Sequence, residues 1–270
     1  MTPTGEQLCY TDAYRRTVAA RVVAVETGEA TTIVLDRTTF YPGGGGQPSD
    51  RGLILRAADG RSWTVRGARK VGGEIVHELE PAEGDPPAAG DFVEVDLDWA
   101  RRLALMRTHT ALHALCGVVW RDHGALVTGG NMEPGSGRMD FEFERMSGDL
   151  VDAIEATVNA ELAAERDVRV AVLPRAEAFA IPDLIRTRGL LSAVGREQEA
   201  MRSGPGLGQP ANALSGLDEI RIIEIVGLDI QADGGTHVSN TREVGRIKVT
   251  GYESKGRINK RIRIALAESE

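Results

Sequence analysis

Two pairs of polar residues in this chain have the types and the spacing of metal ligands. His109 and His113 lie four residues apart in RTHTALHAL, and Asp233 and His237 lie four apart in DGGTHV. Residues four apart on an α-helix point from the same face, so both imidazoles can reach one ion. The two glycines of the second stretch allow a tight turn that brings its polar side chains together. Because zinc binds imidazole nitrogen and carboxylate oxygen, the pattern predicts a Zn²⁺ site.

A spacing of two histidines alone is weak evidence, because a histidine on an apolar helix face is often a hydrogen-bonded core residue. The second cluster strengthens the metal interpretation. Thr110 stands where zinc proteases of the HExxH type have their glutamate, which argues against a protease mechanism. Cys116 follows His113 by three residues and is a reserve ligand, although its apolar surroundings favour a packing role. A carboxylate ligand is harder than a thiolate and could shift the metal preference.

A glycine-rich segment, FYPGGGGQPSDRG at residues 40–52, is the second candidate for a functional role. Four consecutive glycines expose backbone amides, so a substrate could approach closely, with Gln47 and Asp50 as polar contacts. A flexible hairpin turn is the alternative. The glycine density and the following Gln-Pro exceed what a hairpin needs, which favours a functional role in company with the metal cluster.

The third feature is a basic segment near the end of the chain, residues 242–263. It has eight Lys and Arg side chains against two Glu, in a chain whose net charge is −8. A solvated strand face is the ordinary explanation. A phosphate backbone is the functional alternative, and its binding would depend on salt. The candidate RNA-binding residues are Lys255, Arg257, Lys260 and Arg261.

The first hundred residues contain six short β-rich runs separated by turns: TVAARVVAVE, ATTIVLD, RGLILRA, RSWTVRG, EIVHELE and DFVEVDLD. This spacing predicts a small antiparallel barrel or sandwich. The pattern changes at residue 98, where Asp98 is a plausible N-cap. Leu103, Met106 and Leu112 then recur with the histidines at helical spacing. The elements that position the histidine pair are therefore a barrel followed by a long helix.

Strands and helices interleave in the rest of the chain, which predicts a two-layer α/β domain. RMDFEF, VRVAVLP, EIRIIEIV, GRIKVTGY and KRIRIALA read as strands, and SGDLVDAIEATVNAELAAER reads as a helix capped by Ser147. The expected fold class is α+β, with domains at residues 1–97 and 98–270. Residues 188–218, rich in Gly, Ser, Ala and Pro, are expected to form a surface loop or lid.

Length, charge and cysteine content limit the class of protein. The 270 residues favour two domains, and the net charge of −8 argues against nonspecific coating of nucleic acid. Cys9 and Cys116 are too few for a disulfide framework, and the N-terminus has no leader pattern, so we expect a cytoplasmic protein. The chain contains no run of about 18 apolar residues, so the sequence predicts no membrane span.

Five segments together resemble the AlaX family, freestanding relatives of the editing domain of alanyl-tRNA synthetase. They are TTFYPGGGGQPSDRG, RTHTALHAL, LVTGGNMEPGSGRMDFEF, LDIQADGGTHVSNTREVG and ESKGRINKRIRIAL, in the family's order. The resemblance implies an N-terminal barrel followed by an α/β editing domain. It implies a hydrolase that deacylates tRNA(Ala) mischarged with serine, and in some members with glycine, and so protects translation fidelity. The aminoacylation region has no counterpart here, so ATP-dependent activation is not implied.

The resemblance also assigns individual residues. It makes His109, His113 and His237 zinc ligands. The family usually has cysteine where this chain has Asp233, so the fourth ligand is Asp233, Cys116 or water. The loop around Gln47 resembles the one that lies over the family's editing pocket and helps select the amino acid. Thr128 in LVTGG resembles a threonine that reads a substrate hydroxyl.

Three functions follow from these observations. The first is the tRNA-editing hydrolase. The second is a noncatalytic tRNA-binding module that keeps the editing fold, since Asp233 in place of a cysteine could mean a lost metal. The third is a general metallopeptidase or esterase, which would act on small substrates without tRNA. The sequence leaves open the metal, the general base, the oligomeric state and the choice between serine and glycine.

Overall fold

The chain divides into two compact units in a computed structural model that describes residues 5–194, 214 and 217–267. The first unit contains the residues up to His109, with Met132–Pro134 and Gly235–His237. The second contains Thr110–Asn131, Gly135–Gly234 and the residues from Val238 on.

The first unit is built around a closed six-stranded barrel with strand order β2-β3-β7-β6-β5-β8, which confirms the predicted barrel. Its side chains alternate between solvent and core as the period of two requires, so that Val93, Val95 and Leu97 of one strand are buried. Two further short strands, β1 and β4, pair in parallel. The bounds are β1 Glu6–Gln7, β2 Thr17–Thr27, β3 Thr31–Leu35, β4 Arg37–Thr38, β5 Gly52–Arg56, β6 Ser62–Val71, β7 Glu74–Leu79 and β8 Phe92–Leu97.

The long helix α1, Trp99–His123, carries the histidine pair. The side chain of Asp98 accepts a hydrogen bond from the backbone N–H of Arg101 at 3.0 Å, which confirms the predicted N-cap. From Thr108 to Val119 every residue is buried, so the middle of the helix has no solvent-facing side. Polar side chains on this stretch must therefore find partners inside the protein.

Two sheets and several shorter helices make up the rest of the described part of the second unit, in agreement with the predicted α+β class. The sheets have the orders β14-β15-β10-β9 and β11-β12-β13. Helix α2 begins after Ser147, whose side chain accepts from the N–H of Leu150, as predicted. The bounds are β9 Val127–Glu133, β10 Ser136–Glu142, α2 Gly148–Ala163, β11 Val168–Pro174, α3 Arg175–Ala178, β12 Glu219–Ile225, β13 Asp229–Ala232, β14 Ile247–Ser254 and β15 Asn259–Leu266.

The predicted loop or lid at residues 188–218 falls largely outside the described residues. Residues 188–194 are helical and so differ from the prediction, whereas 195–213 and 215–216 are not described. Among the described helices, none has the length and apolar character needed to span a membrane.

Candidate metal centre

The four residues predicted as metal ligands lie together. His109, His113, Asp233 and His237 each offer one ligand atom, and these atoms all lie within 4.8 Å of one another. The three histidines are buried and Asp233 is half-buried. Since zinc bonds to nitrogen and oxygen are about 2 Å long, four atoms gathered this closely could hold one ion.

Gln47 fixes the orientation of His109. Its Oε1 lies 2.9 Å from His109 Nδ1 and also accepts the backbone N–H of Thr236 at 3.0 Å. That N–H can only donate, so it fixes which end of the Gln47 amide is the oxygen. His109 Nδ1 therefore carries the proton, and Nε2 is the nitrogen with the lone pair. The ring of His109 also stacks on that of His237, with centroids 4.3 Å apart.

The glycine-rich segment is a tight turn that ends at Gln47. Gly44 and Gln47 exchange two backbone hydrogen bonds of 2.9 and 3.0 Å. The two residues between them, Gly45 and Gly46, have φ angles of 58° and 86°, which favour glycine. Gln47 is 2 % exposed and donates its amide N–H to Thr236 Oγ1 at 2.8 Å. The turn thus holds Gln47 against the histidine.

Gly235 in the DGGTHV stretch is required by close packing. A Cβ at this position would lie 2.2 Å from Cε1 of His109 and 2.8 Å from Oε1 of Gln47. Any side chain there would displace the histidine from its partner. Gly235 therefore leaves room for the contact between His109 and Gln47, and it also allows the turn.

The prediction that Asp50 contacts substrate was wrong. Asp50 is 1 % exposed and forms an ion pair with the fully buried Arg102 of α1. It also accepts the backbone N–H of Tyr41 at 2.6 Å. A buried carboxylate needs such partners, and these hold the base of the glycine-rich loop.

Asp229, which sequence analysis missed, holds the second helix histidine. Its Oδ2 lies 3.0 Å from Nδ1 of His113 and also accepts from Gln231 Nε2 at 2.8 Å. Its Oδ1 pairs with Arg186. Burial lowers the pKa of His113, but the hydrogen bond and charge of Asp229 outweigh it and raise the pKa above its usual value. The alternating polar residues of LDIQAD were the available signal, because Asp229 and Gln231 share one face of β13.

Cys116 is not part of the four-residue group. The side chain is buried, and burial first, then the charge of Asp229, raises the pKa of its thiol. A metal ligand must be a thiolate, which this environment disfavours. Of the alternatives for the fourth ligand, the geometry favours Asp233.

The other predicted site residues have these contacts. Thr128 Oγ1 donates to Asn259 Oδ1 at 2.8 Å. Lys260 is buried and donates to the carbonyls of Gly256 and Arg257 at 2.7 and 2.9 Å.

The remaining basic candidates differ in how they are paired. Arg261 makes two hydrogen bonds to Asp140, at 2.6 and 2.8 Å, and these lower the pKa of that carboxyl group. Lys255 is exposed and lies 3.1 Å from Glu253. Arg257 is exposed and lines a surface groove. The RNA-binding role of all four stays a prediction, and Lys260 and Arg261 have structural contacts besides.

Two regions of the chain match known protein families. Residues 220–263 match the family described as threonyl and alanyl tRNA synthetase second additional domain, and residues 10–101 match class II (A) tRNA synthetases. The second match contains the barrel strands and the first contains Asp233 and His237, so both regions are similar to parts of class II aminoacyl-tRNA synthetases.

Relatives that match nearly the whole chain identify the family within this class. The chain is 34% identical to the alanyl-tRNA editing protein AlaX-M of Methanosarcina barkeri, over 97% of this chain and 99% of the relative. It is 33% identical to AlaX-M of Saccharolobus solfataricus, over 95% and 97%. It also matches the alanine–tRNA ligase of Pyrobaculum neutrophilum at 34% identity, over 93% of this chain but only 26% of the ligase. The chain belongs to the AlaX-M family of alanyl-tRNA editing proteins, which confirms the resemblance.

Proposed function

We propose that this protein is a trans-editing hydrolase that deacylates mischarged tRNA(Ala) at a Zn²⁺ site. Seryl-tRNA(Ala) is the main substrate and glycyl-tRNA(Ala) a second one. The observation that carries the proposal is the gathering of four ligand atoms, from His109, His113, Asp233 and His237, within 4.8 Å. The names of the whole-chain relatives support the editing activity. We further propose that it acts in the cytoplasm and needs no ATP.

The donor set fits zinc. Three imidazole nitrogens and one carboxylate oxygen are ordinary zinc ligands, and the neutral form of histidine is the one that binds metal. Gln47 and Asp229 each engage the Nδ1 atom of one helix histidine. This leaves Nε2 of each ring as the nitrogen that binds the ion. Such outer partners are typical of metal-binding histidines.

A bound zinc ion would polarise the ester carbonyl and lower the pKa of a water molecule to about 7. The protein's own residues do the rest of the work that the geometry supports. Gln47 and Asp229 hold the Nδ1 protons and prevent the rings from turning. Gly235 lets the DGGTHV stretch approach His109 closely. A fixed, largely buried ligand set costs little rearrangement as negative charge develops on the ester oxygen.

Selection against alanine needs a group that reads the serine hydroxyl, and Thr128 is the candidate. Its hydroxyl donates to Asn259, and a hydroxyl that donates one hydrogen bond can still accept another. A site built to pair with a substrate hydroxyl leaves that group unpaired when alanine binds. Correctly charged tRNA would therefore be spared.

The test is deacylation of three substrates, seryl-, glycyl- and alanyl-tRNA(Ala), by the purified zinc-loaded protein. We expect the seryl ester to be cleaved fastest and the alanyl ester to survive. Removal of metal with a chelator should abolish cleavage, and added Zn²⁺ should restore it. The matched control is the His109→Ala, His113→Ala double variant. Equal cleavage of seryl and alanyl esters, or cleavage that ignores the chelator, would reject the proposal.

A noncatalytic tRNA-binding module is the second candidate, because Asp233 replaces the cysteine of the resemblance. Elemental analysis separates the two. One zinc per chain that disappears in the double histidine variant supports the enzyme. Metal-free protein that binds tRNA without cleaving it supports the module, and cleavage of small esters without tRNA would support a general esterase.

A further inference from the structure

Asp229 is a buried carboxylate at the start of β13, and it is not one of the four candidate metal ligands. It is 3 % exposed, and its Oδ2 lies 3.0 Å from Nδ1 of His113. A carboxylate can only accept hydrogen bonds when ionised, so the proton lies on the histidine Nδ1. The contact therefore determines both the tautomer of His113 and the rotation of its ring.

The carboxylate of Asp229 is itself held at both oxygens. Arg186, which is 7 % exposed, pairs with Oδ1. Gln231 Nε2 donates to Oδ2 at 2.8 Å. The guanidinium of Arg186 also lies over the ring of Trp120, with Cζ 5.6 Å from the ring centroid. A buried carboxylate with partners at both of its oxygens keeps one position.

Gly117 lets β13 come close enough for this contact. It lies on α1 one turn after His113, and a Cβ at this position would lie 3.0 Å from Cβ of Asp229 and 3.0 Å from the carbonyl oxygen of Leu228. Glycine is unfavourable in a helix interior, so its presence here needs a packing reason. The reason is the close approach of the strand that carries Asp229.

We propose that Asp229 is a positioning residue for the metal site. It fixes His113 with Nε2 ready to bind the ion, Arg186 fixes Asp229, and Gly117 provides the space. The inference rests on the proposed metal site and deepens it. Partners of this kind are typically worth 10- to 100-fold in metal affinity.

The direct test is Asp229→Asn, measured as the dissociation constant for Zn²⁺ by competition with a chromophoric chelator. The visible absorption spectrum of the Co²⁺-loaded protein is a second readout of ligand geometry. We expect affinity to fall about 10- to 100-fold and the Co²⁺ spectrum to change. The matched control is Asp140→Asn, which also removes a buried carboxylate paired with an arginine, Arg261. It should leave both readouts unchanged.

Gly117→Ala tests the same idea without removing any polar group. The added methyl should separate β13 from α1 and, like Asp229→Asn, weaken Zn²⁺ binding. If Asp229→Asn does not fold, Gly117→Ala alone tests the positioning role. Wild-type affinity and an unchanged Co²⁺ spectrum in a folded variant would overturn the positioning role while leaving the proposed function intact. A wild-type protein that binds no Zn²⁺ would instead overturn the proposed function.

Discussion

Two buried histidines in different units of the molecule, His77 of the barrel and His113 of α1, show what separates a structural histidine from a candidate metal ligand. His77 is fully buried, with Nδ1 3.2 Å from the carbonyl of Ile33 and Nε2 2.8 Å from Thr38 Oγ1. Both of its nitrogens are thus used by contacts within the first unit. His113 gives Nδ1 to Asp229 and contributes a ligand atom to the four-residue group. Burial alone therefore does not mark a functional histidine.

The electrostatic surroundings differ in the same way. Burial without a charged partner lowers the pKa of His77 to about 4, with a small opposing effect of the Ile33 carbonyl. The carboxylate of Asp229 raises that of His113 despite equal burial. A carboxylate partner increases the basicity of an imidazole, which a metal ligand needs and a barrel core does not.

Substitution should distinguish the two histidines clearly. His113→Ala should lose stoichiometric zinc, and its deacylation of seryl-tRNA(Ala) should fall on the order of 1,000-fold, since a catalytic metal is worth several kcal/mol. His77→Gln should keep its zinc and its activity at neutral pH. Elemental analysis and initial rates measure both. Loss of zinc by His77→Gln, or retention of zinc by His113→Ala, would contradict the different roles of the two histidines.

The second prediction concerns stability in acid. An unfolded histidine takes up a proton near pH 6.5, whereas buried His77 does so only near pH 4. The stabilising effect of its neutral form is therefore complete above pH 6.5 and is lost as pH falls to 4. The loss should reach about 3 kcal/mol.

The measurement is the free energy of unfolding by urea between pH 7 and pH 4. The wild type should lose more stability over this range than His77→Gln, by about 3 kcal/mol. His123→Gln, at an exposed histidine of the same chain, is the control and should follow the wild type. Parallel curves for the wild type and His77→Gln would show that the barrel histidine is not kept neutral.

A third prediction compares the partners of the two helix histidines, an amide for His109 and a carboxylate for His113. Gln47→Leu removes the acceptor of His109 Nδ1 and should weaken Zn²⁺ binding about 10- to 100-fold. Gln47→Glu keeps an acceptor for that nitrogen and should weaken it less. The readout is chelator competition with folding checked by circular dichroism. Equal affinities for the Leu variant and the wild type would make Gln47 a packing residue only.

The local parts of this architecture were accessible from sequence because each rests on a short-range rule. Six alternating runs predicted the six barrel strands, and Asp98 and Ser147 were recognised as caps. The grouping of His109, His113, Asp233 and His237 was also predictable, since each half of it has a four-residue spacing. His77 could have been placed in the core, because Ile75, His77 and Leu79 alternate inward along β7.

The partners of these residues were not accessible, because they depend on tertiary contacts. Arg186 and Asp229 are 43 residues apart, and Asp50 and Arg102 are 52 apart. A carboxylate in a loop looks the same in sequence whether it faces substrate or a buried arginine. The sequence therefore does not distinguish the ion pair of Asp50 from a substrate contact, and it does not reveal the partner of Asp229.

A weaker effect is expected in the basic segment, where the two arginines Arg257 and Arg261 differ in their partners. Arg261 is paired with Asp140, whereas Arg257 is exposed and lines a surface groove that Arg145 and Ser147 also line. A guanidinium already held by a carboxylate has less to gain from a phosphate. Arg257→Ala should weaken tRNA binding a few-fold and reduce the slope of log affinity against log salt by about 1. Arg261→Ala should instead lower the free energy of unfolding, because it leaves the mostly buried Asp140 with fewer partners.

Binding titrations at several salt concentrations measure the salt slope of each variant, and urea unfolding measures its stability. If Arg261→Ala changes the salt slope as much as Arg257→Ala does, pairing within the protein does not decide which cations meet the RNA.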